Sequence, residues 1–143
     1  MIRRVALVLA GFLFITGSLA FACSTCVDGP AVISFFKAEC NACLKEMPEL
    51  DKLHAMSDGR FKVIGVSLDD QAAYEKFTKS GKVKYPTTRY ADWESKDKYP
   101  SAKYAKHIPS IIYVGKQGKV HGLAMGWFNA ETMEEQIEPL VDN

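Results

Sequence analysis

The stretch "FFKAECNACLKEMPEL", residues 35–50, joins two different hydrophobic patterns at a pair of cysteines. Upstream, "AVISFF" (residues 31–36) is a short run of branched and aromatic residues bounded by Gly29-Pro30 and Lys37, the pattern of a buried strand. Downstream, Leu44, Met47, Leu50, Leu53 and His54 recur at three and four residues, which is helical spacing. Pro48 is expected to kink that helix. At such a junction Cys40 and Cys43 are a redox couple, half of a metal site or two ordinary buried cysteines, and their spacing alone does not choose.

Working outward, Asp58-Gly59 closes the helix and "FKVIGVSL" (61–68) is a second strand-like run. Asp69-Asp70 then opens a helix through "QAAYEKFTKSG", ending at Gly81. The polar, aromatic segment 82–106 predicts a short strand near Thr88–Ala91 and a helical turn near Ser101–Lys106. "SIIYV" and "KVHGLAM" flank Lys116-Gln117-Gly118, a hairpin signal. Met133, Ile137 and Leu140 share one face of a closing helix with acids at its start. A β-α-β unit implies a parallel pair with a right-handed crossover, and the hairpin adds antiparallel strands to the same sheet. The expected fold class is α/β, with a mixed central sheet flanked by helices.

The first 22 residues place Arg3 and Arg4 ahead of an apolar run from Val5 to Ile15, followed by Ala20-Phe21-Ala22. A basic start, an apolar run of about 7 to 15 residues and a small-x-small exit describe a secretory signal peptide cut after Ala22. A membrane-spanning helix needs about 20 apolar residues. The expected organisation is a signal peptide at 1–22, an N-terminal tail with a second CxxC at 23–30, and one domain at 31–143. The location is then periplasmic or otherwise extracytoplasmic; the alternatives are anchoring through a lipidated Cys23 or through an uncleaved signal. Removing Arg3 and Arg4 from 18 basic residues leaves 16 against 17 acidic ones, a balance that gives no electrostatic reason to bind nucleic acid. Outside the cytosol, free thiols tend to oxidise, so each pair among the four cysteines is a disulfide candidate.

Cys40 stands where a strand ends and a helix begins, so unpaired N–H groups of the first helical turn point toward its sulfur. That environment stabilises a thiolate and lowers its pKa from the free value of about 8.5. Cys43, one turn inward, is placed to attack a mixed disulfide formed by Cys40 and release the partner reduced. Cys40 is therefore the expected attacking thiol and Cys43 the resolving one.

Taken in order, "AVISFFKAECNACLKEMPELDKLHAM", "FKVIGVSLDD" and "KHIPSIIYVGKQGKV", followed by Gly126, resemble the TlpA/ResA branch of periplasmic thioredoxin-like proteins. The resemblance covers nearly all of the chain after residue 22. It implies a thioredoxin-like fold and thiol-disulfide oxidoreductase activity on protein disulfides, with cytochrome c maturation as one setting. It also implies a cis-proline at Pro109 lying against the cysteine pair, with Ile108 offering backbone groups to an extended substrate. Glu46 matches the family's helix glutamate, held near the resolving thiol, where a partly buried carboxylate accepts the proton Cys43 must lose. The implied partners are protein thiols and disulfides and a membrane electron donor resembling CcdA or DsbD; no cofactor or metal is required, and a monomer is expected. Phe36 and Glu39 stand where the family commonly has Trp, and Ala42 where it often has Pro. Glu39 brings a negative charge beside Cys40 that Lys37 offsets.

Cys23 to Cys43 reads C-x2-C-x13-C-x2-C, near the spacing of about 15 to 20 between the pairs of tetrathiolate zinc sites. A thioredoxin-like copper or zinc carrier using the CxxC thiols is therefore the alternative function. For Cys23 and Cys26 themselves two readings stand: a local disulfide in a flexible tail, or a second redox pair relaying electrons to Cys40 and Cys43.

Overall fold

A computed structural model describes residues 23–143; the expected signal peptide lies outside the described residues. The elements run β1 (Ala31–Phe36), α1 (Asn41–Ser57), β2 (Lys62–Ser67), α2 (Gln71–Lys79), β3 (Thr87–Arg89) with a 3-10 turn at Tyr90–Asp92, α3 (Ser101–Tyr104), β4 (Ser110–Val114), β5 (Val120–Met125) and α4 (Ala130–Val141). They form one mixed sheet in the order β3-β2-β1-β4-β5. β1 pairs in parallel with β2, and β2 with β3, while β4 lies antiparallel to both β1 and β5. This is the mixed α/β arrangement expected from the order of elements.

Strand β1 is central and buried along its whole length, which is why it reads as a continuous apolar run rather than an alternating one. Its side chains divide by parity. Val32 and Phe36 face a core with Met47, Leu50 and Leu53 of α1, Phe77 of α2, and Met133 and Ile137 of α4. Ala31, Ile33 and Phe35 face a second core with Trp93, Tyr99 and Tyr104. Full burial of each such Leu, Ile or Phe is worth about 1.5–3 kcal/mol. The second core is largely aromatic: Trp93 meets Phe35 edge-on at 6.0 Å and stacks on Tyr99 at 5.8 Å. Strand β5 is an edge strand with alternating exposure, leaving Leu123 and Met125 open to solvent.

Helix α1 runs through Pro48 without a break, so the kink expected there does not interrupt the element. Asp58 (φ 45°) and Gly59 (φ 75°) turn the chain out of α1 in the left-handed region that Asp and Gly tolerate. The short third strand begins and ends slightly earlier than expected, because Tyr90 already starts the 3-10 turn.

The segment 23–30 differs most from expectation. It is no loose tail: Val27 is buried in the second core, and its N–H donates to Ser95 Oγ at 3.1 Å. Lys62 Nζ donates to the carbonyls of Cys23 (3.0 Å) and Cys26 (2.9 Å), and the Trp93 indole N–H donates to the Thr25 carbonyl at 2.9 Å. The composition of eight residues could not show these partners, which come from β2 and from the turn after β3.

Candidate active site

The site is built at the C-terminal end of β1. After Phe36 the chain turns through Lys37-Ala38-Glu39, closed by a Cys40 N–H to Lys37 carbonyl bond of 3.1 Å. Asp69, just past β2, pins this turn: its Oδ2 accepts from the Ala38 N–H at 2.8 Å and from the Ser67 hydroxyl at 2.7 Å. Cys40 is the N-cap of α1, extended at φ −80° and ψ 107°, and its Sγ accepts the Cys43 N–H at 3.2 Å. The first-turn N–H that sequence reasoning aimed at this sulfur is therefore bonded to it. A thiolate at this position would gain from that bond and from the partial positive charge of the helix end.

Cys40 and Cys43 form a disulfide, with Cα atoms 5.2 Å apart. Cys40 is partly exposed, whereas Cys43 is only 2% exposed and belongs to the core beneath α1. The outer sulfur is therefore the one open to a partner, and the inner one is shielded by the core.

Glu46 lies one turn further along α1 and is 1% exposed. Its Oε1 accepts the Phe128 N–H at 3.4 Å, and its Oε2 has no hydrogen-bond partner. Burial drives its pKa up from an ordinary 4.5 to about 7; the Phe128 N–H and the Ser34 hydroxyl work the other way and are outweighed. Two tyrosines share this interior. Burial and the Glu46 charge push the Tyr113 hydroxyl up to about 12. Burial, then Asp51 and Glu46, raise that of Tyr85, whose oxygen is also without a partner. The carboxyl thus sits in a nearly water-free space, poised to hold or release a proton near neutral pH.

Pro109 follows a cis peptide bond from Ile108, is itself buried, and precedes β4. Ser110 is paired with Phe35, so Pro109 stands at the same end of the sheet as Phe36 and the turn leading to Cys40. Ile108 and Cys40 are both partly buried and pack on the same core cluster. The Pro109 carbonyl accepts the Gly126 N–H at 3.0 Å.

That bond leads to residues the sequence did not mark. The loop after β5 folds back over the first half of α1. The Trp127 indole N–H donates to the Lys45 carbonyl at 3.2 Å, the Phe128 N–H reaches Glu46, and the Ala130 N–H donates to Glu49 Oε2 at 2.8 Å. Trp127 itself remains 51% exposed, a large apolar surface beside the helix that carries both cysteines. Its position in a short segment between a strand and a helix gave no periodic signal.

The second pair, Cys23 and Cys26, is also a disulfide, with Cα atoms 5.3 Å apart. It is held by Lys62, which registers with Ala31, the first residue of β1, whereas Cys40 follows the last. The five steps between six strand residues, at about 3.3 Å each, put roughly 17 Å between those ends. A zinc site shared by all four cysteines is therefore ruled out by position. At that separation the two disulfides do not touch each other. Among the described residues, the one group of three or more Cys, His, Asp or Glu side chains with converging ligand atoms is Cys23, Cys26 and Glu94, and it excludes Cys40 and Cys43.

Comparison with known proteins agrees with this geometry. The AhpC/TSA family model matches residues 20–122. No curated protein matches the chain. Among solved structures, it is similar to a thiol-disulfide isomerase from Corynebacterium glutamicum (TM-score 0.66, 19% identity, covering 84% of this chain and 85% of that one). It is also similar to a putative thiol:disulfide interchange protein DsbE from Chlorobium tepidum (TM-score 0.65, 20% identity, 82% of each chain). A third is StoA from Bacillus subtilis (TM-score 0.62, 20% identity, 76% of this chain and 81% of that one). At these identities the likeness is one of fold, and it is the thioredoxin fold expected from the ordered motifs. With more than half its length matched by that family's pattern and a cysteine pair at the strand-helix junction, the chain belongs to the AhpC/TSA family.

Proposed function

We propose that this protein is an exported thiol-disulfide oxidoreductase of the TlpA/ResA type that reduces protein disulfides through Cys40 and Cys43. The observation that carries the reading is the gradient at the start of α1: a partly exposed N-cap sulfur, a buried second sulfur, and beyond it a buried carboxyl with its pKa near 7. An inert staple has no use for the third of these.

In the reduced protein, the Cys40 thiolate attacks a substrate disulfide. A Cys40–substrate disulfide forms and one substrate sulfur leaves as a thiolate, to be protonated by solvent. Cys43 then gives its proton to Glu46 and attacks Cys40 Sγ. The mixed disulfide breaks, the second substrate sulfur leaves, and the Cys40–Cys43 disulfide remains. Two electrons have passed to the substrate, and an external dithiol must restore the pair.

A membrane donor resembling CcdA or DsbD suits that last step. Cytochrome c maturation suits the first, because its apoprotein cysteines must be reduced before haem attachment. Ile108 and Pro109 would present backbone to the extended substrate, and the protein would act as a monomer outside the cytosol without metal or cofactor. The neighbouring structures described as disulfide isomerase and interchange proteins support the class of reaction.

The test is reduction of insulin in the presence of a chelator. Activity should persist with the chelator and vanish in Cys40→Ser, while Cys43→Ser should accumulate mixed disulfides through Cys40. Stoichiometric copper or zinc at Cys40 and Cys43 with no exchange would instead establish the metal-carrier alternative.

A further inference from the structure

We propose that Cys23 and Cys26, once reduced, form with Glu94 a two-thiolate, one-carboxylate site for a borderline divalent cation of the zinc type, at the opposite end of β1 from Cys40. The site is independent of the exchange reaction and shares none of its residues.

Three observations carry it. The first is that the disulfide adds little as a staple. It closes a loop of three residues, so it removes little chain entropy, and the segment is already held by other groups. Lys62 binds two of its carbonyls and Asp28 Oδ1 (2.8 Å), Trp93 binds a third, and Ser95 takes the Val27 N–H. All these anchors use main chain or Asp28, leaving both sulfurs, which are only partly buried, outside the packing.

The second is convergence: with the two sulfurs joined in the disulfide, a carboxylate oxygen of Glu94 lies within 4.8 Å of both, so reduction leaves three donors in one place. The third is orientation. The Thr25 hydroxyl, inside the CxxC itself, donates to Glu94 Oε2 at 3.3 Å and holds that carboxylate toward the loop. In the reduced state the two thiols can exchange their protons for a cation that the Glu94 carboxylate already faces. Lys62 is already engaged by Asp28 and two carbonyls, so it does not neutralise the donors once they bind as thiolates and carboxylate. Two thiolates and one carboxylate, with water in a fourth position, suit tetrahedral zinc.

The balance is simple. A dithiol donor supplies two electrons and two protons; the Cys23–Cys26 bond breaks to two thiols and the donor leaves as a disulfide. Zinc(II) then displaces the two thiol protons with no change of oxidation state. Oxidation of the pair expels the ion, so occupancy reports the redox state of this end of the molecule.

The experiment uses the protein carrying Cys40→Ser and Cys43→Ser, so that no other thiol contributes. It is reduced with a phosphine, freed of reductant, and titrated with zinc against a chromophoric chelator and with cobalt(II). The expected result is one ion per reduced chain, none per oxidised chain, and a thiolate-to-cobalt charge-transfer band. Cys23→Ser should abolish that band, and Glu94→Gln should keep it while weakening zinc by about tenfold or more. Glu94 is exposed, so its substitution leaves folding intact and decides the matter even if a cysteine variant folds poorly. No binding by the reduced protein, equal binding by the oxidised one, unchanged affinity in Glu94→Gln, or a disulfide that resists the phosphine would each overturn the proposal.

Discussion

The Phe128 N–H donates to one oxygen of Glu46 at 3.4 Å, while the other oxygen is buried without a partner. That long bond and the nearby Ser34 hydroxyl do not compensate a carboxylate for lost water, so the acid form is favoured and the pKa rises to about 7. The loop that supplies Phe128 is also the one that joins Pro109 to the helix carrying the cysteines, which ties the acid's environment to the cis-proline.

Glu46→Gln should slow the release of a mixed disulfide by about 100-fold, the lower range for loss of a general base. The pH-rate profile of disulfide reduction should also lose an inflection near 7. Stopped-flow measurement from pH 5 to 9 checks this; a variant that keeps the inflection would assign the proton to another group.

The same shift makes stability depend on pH. The folded pKa lies above the ordinary value, so the folded state holds the proton more tightly, and its advantage is full below about 4.5 and lost as pH rises through about 7. A shift from 4.5 to about 7 corresponds to roughly 3 kcal/mol at 1.36 kcal/mol per unit. Denaturant midpoints of the oxidised protein should fall between pH 5 and 8, and Glu46→Gln should flatten that fall.

Asp69→Ala removes the acceptor of both the Ala38 N–H and the Ser67 hydroxyl, leaving two partly buried donors unpaired. The expected loss is about 1–3 kcal/mol of stability by urea unfolding. Exchange should slow as well, because the turn that sets Cys40 at the helix start is no longer pinned. Asp69→Asn, which keeps one acceptor, should recover part of both.

Gly65 occupies the middle of β2 because nothing larger fits. A Cβ there would come within 2.9 Å of Tyr85 Cε2, 3.0 Å of Thr87 Cγ2 and 3.1 Å of Phe36 Cε1. Gly65→Ala should therefore destabilise by about 1–3 kcal/mol through overpacking, despite replacing a flexible residue in a strand. Thermal unfolding gives the sign directly, and a more stable variant would mean that the Tyr85 ring moves aside at little cost.

Much of this site is local and so was legible early. The strand-to-helix switch at Cys40 shows in seven or eight residues on either side, because burial of β1 and the apolar face of α1 each impose a period on their own segment. The cis-proline was legible only through the ordered resemblance, since an Ile-Pro pair by itself favours the trans bond. The partners of residues 23–28 were not legible at all: Lys62, Trp93 and Ser95 are separated from them by 34 residues or more.

The sequence by itself determined the elements, the sheet's mixed character and which two cysteines stand at a helix start, because those follow from short-range periodicity and capping. Only the tertiary structure decided what surrounds them. Glu46 becomes a buried, proton-holding acid because β1, β4, the segment before β3 and the loop after β5 enclose it together, and no one of these segments encodes that enclosure. The same holds for the two CxxC units, identical in spacing: β1 sets them at its opposite ends, one beside a buried carboxyl and the other beside an exposed one.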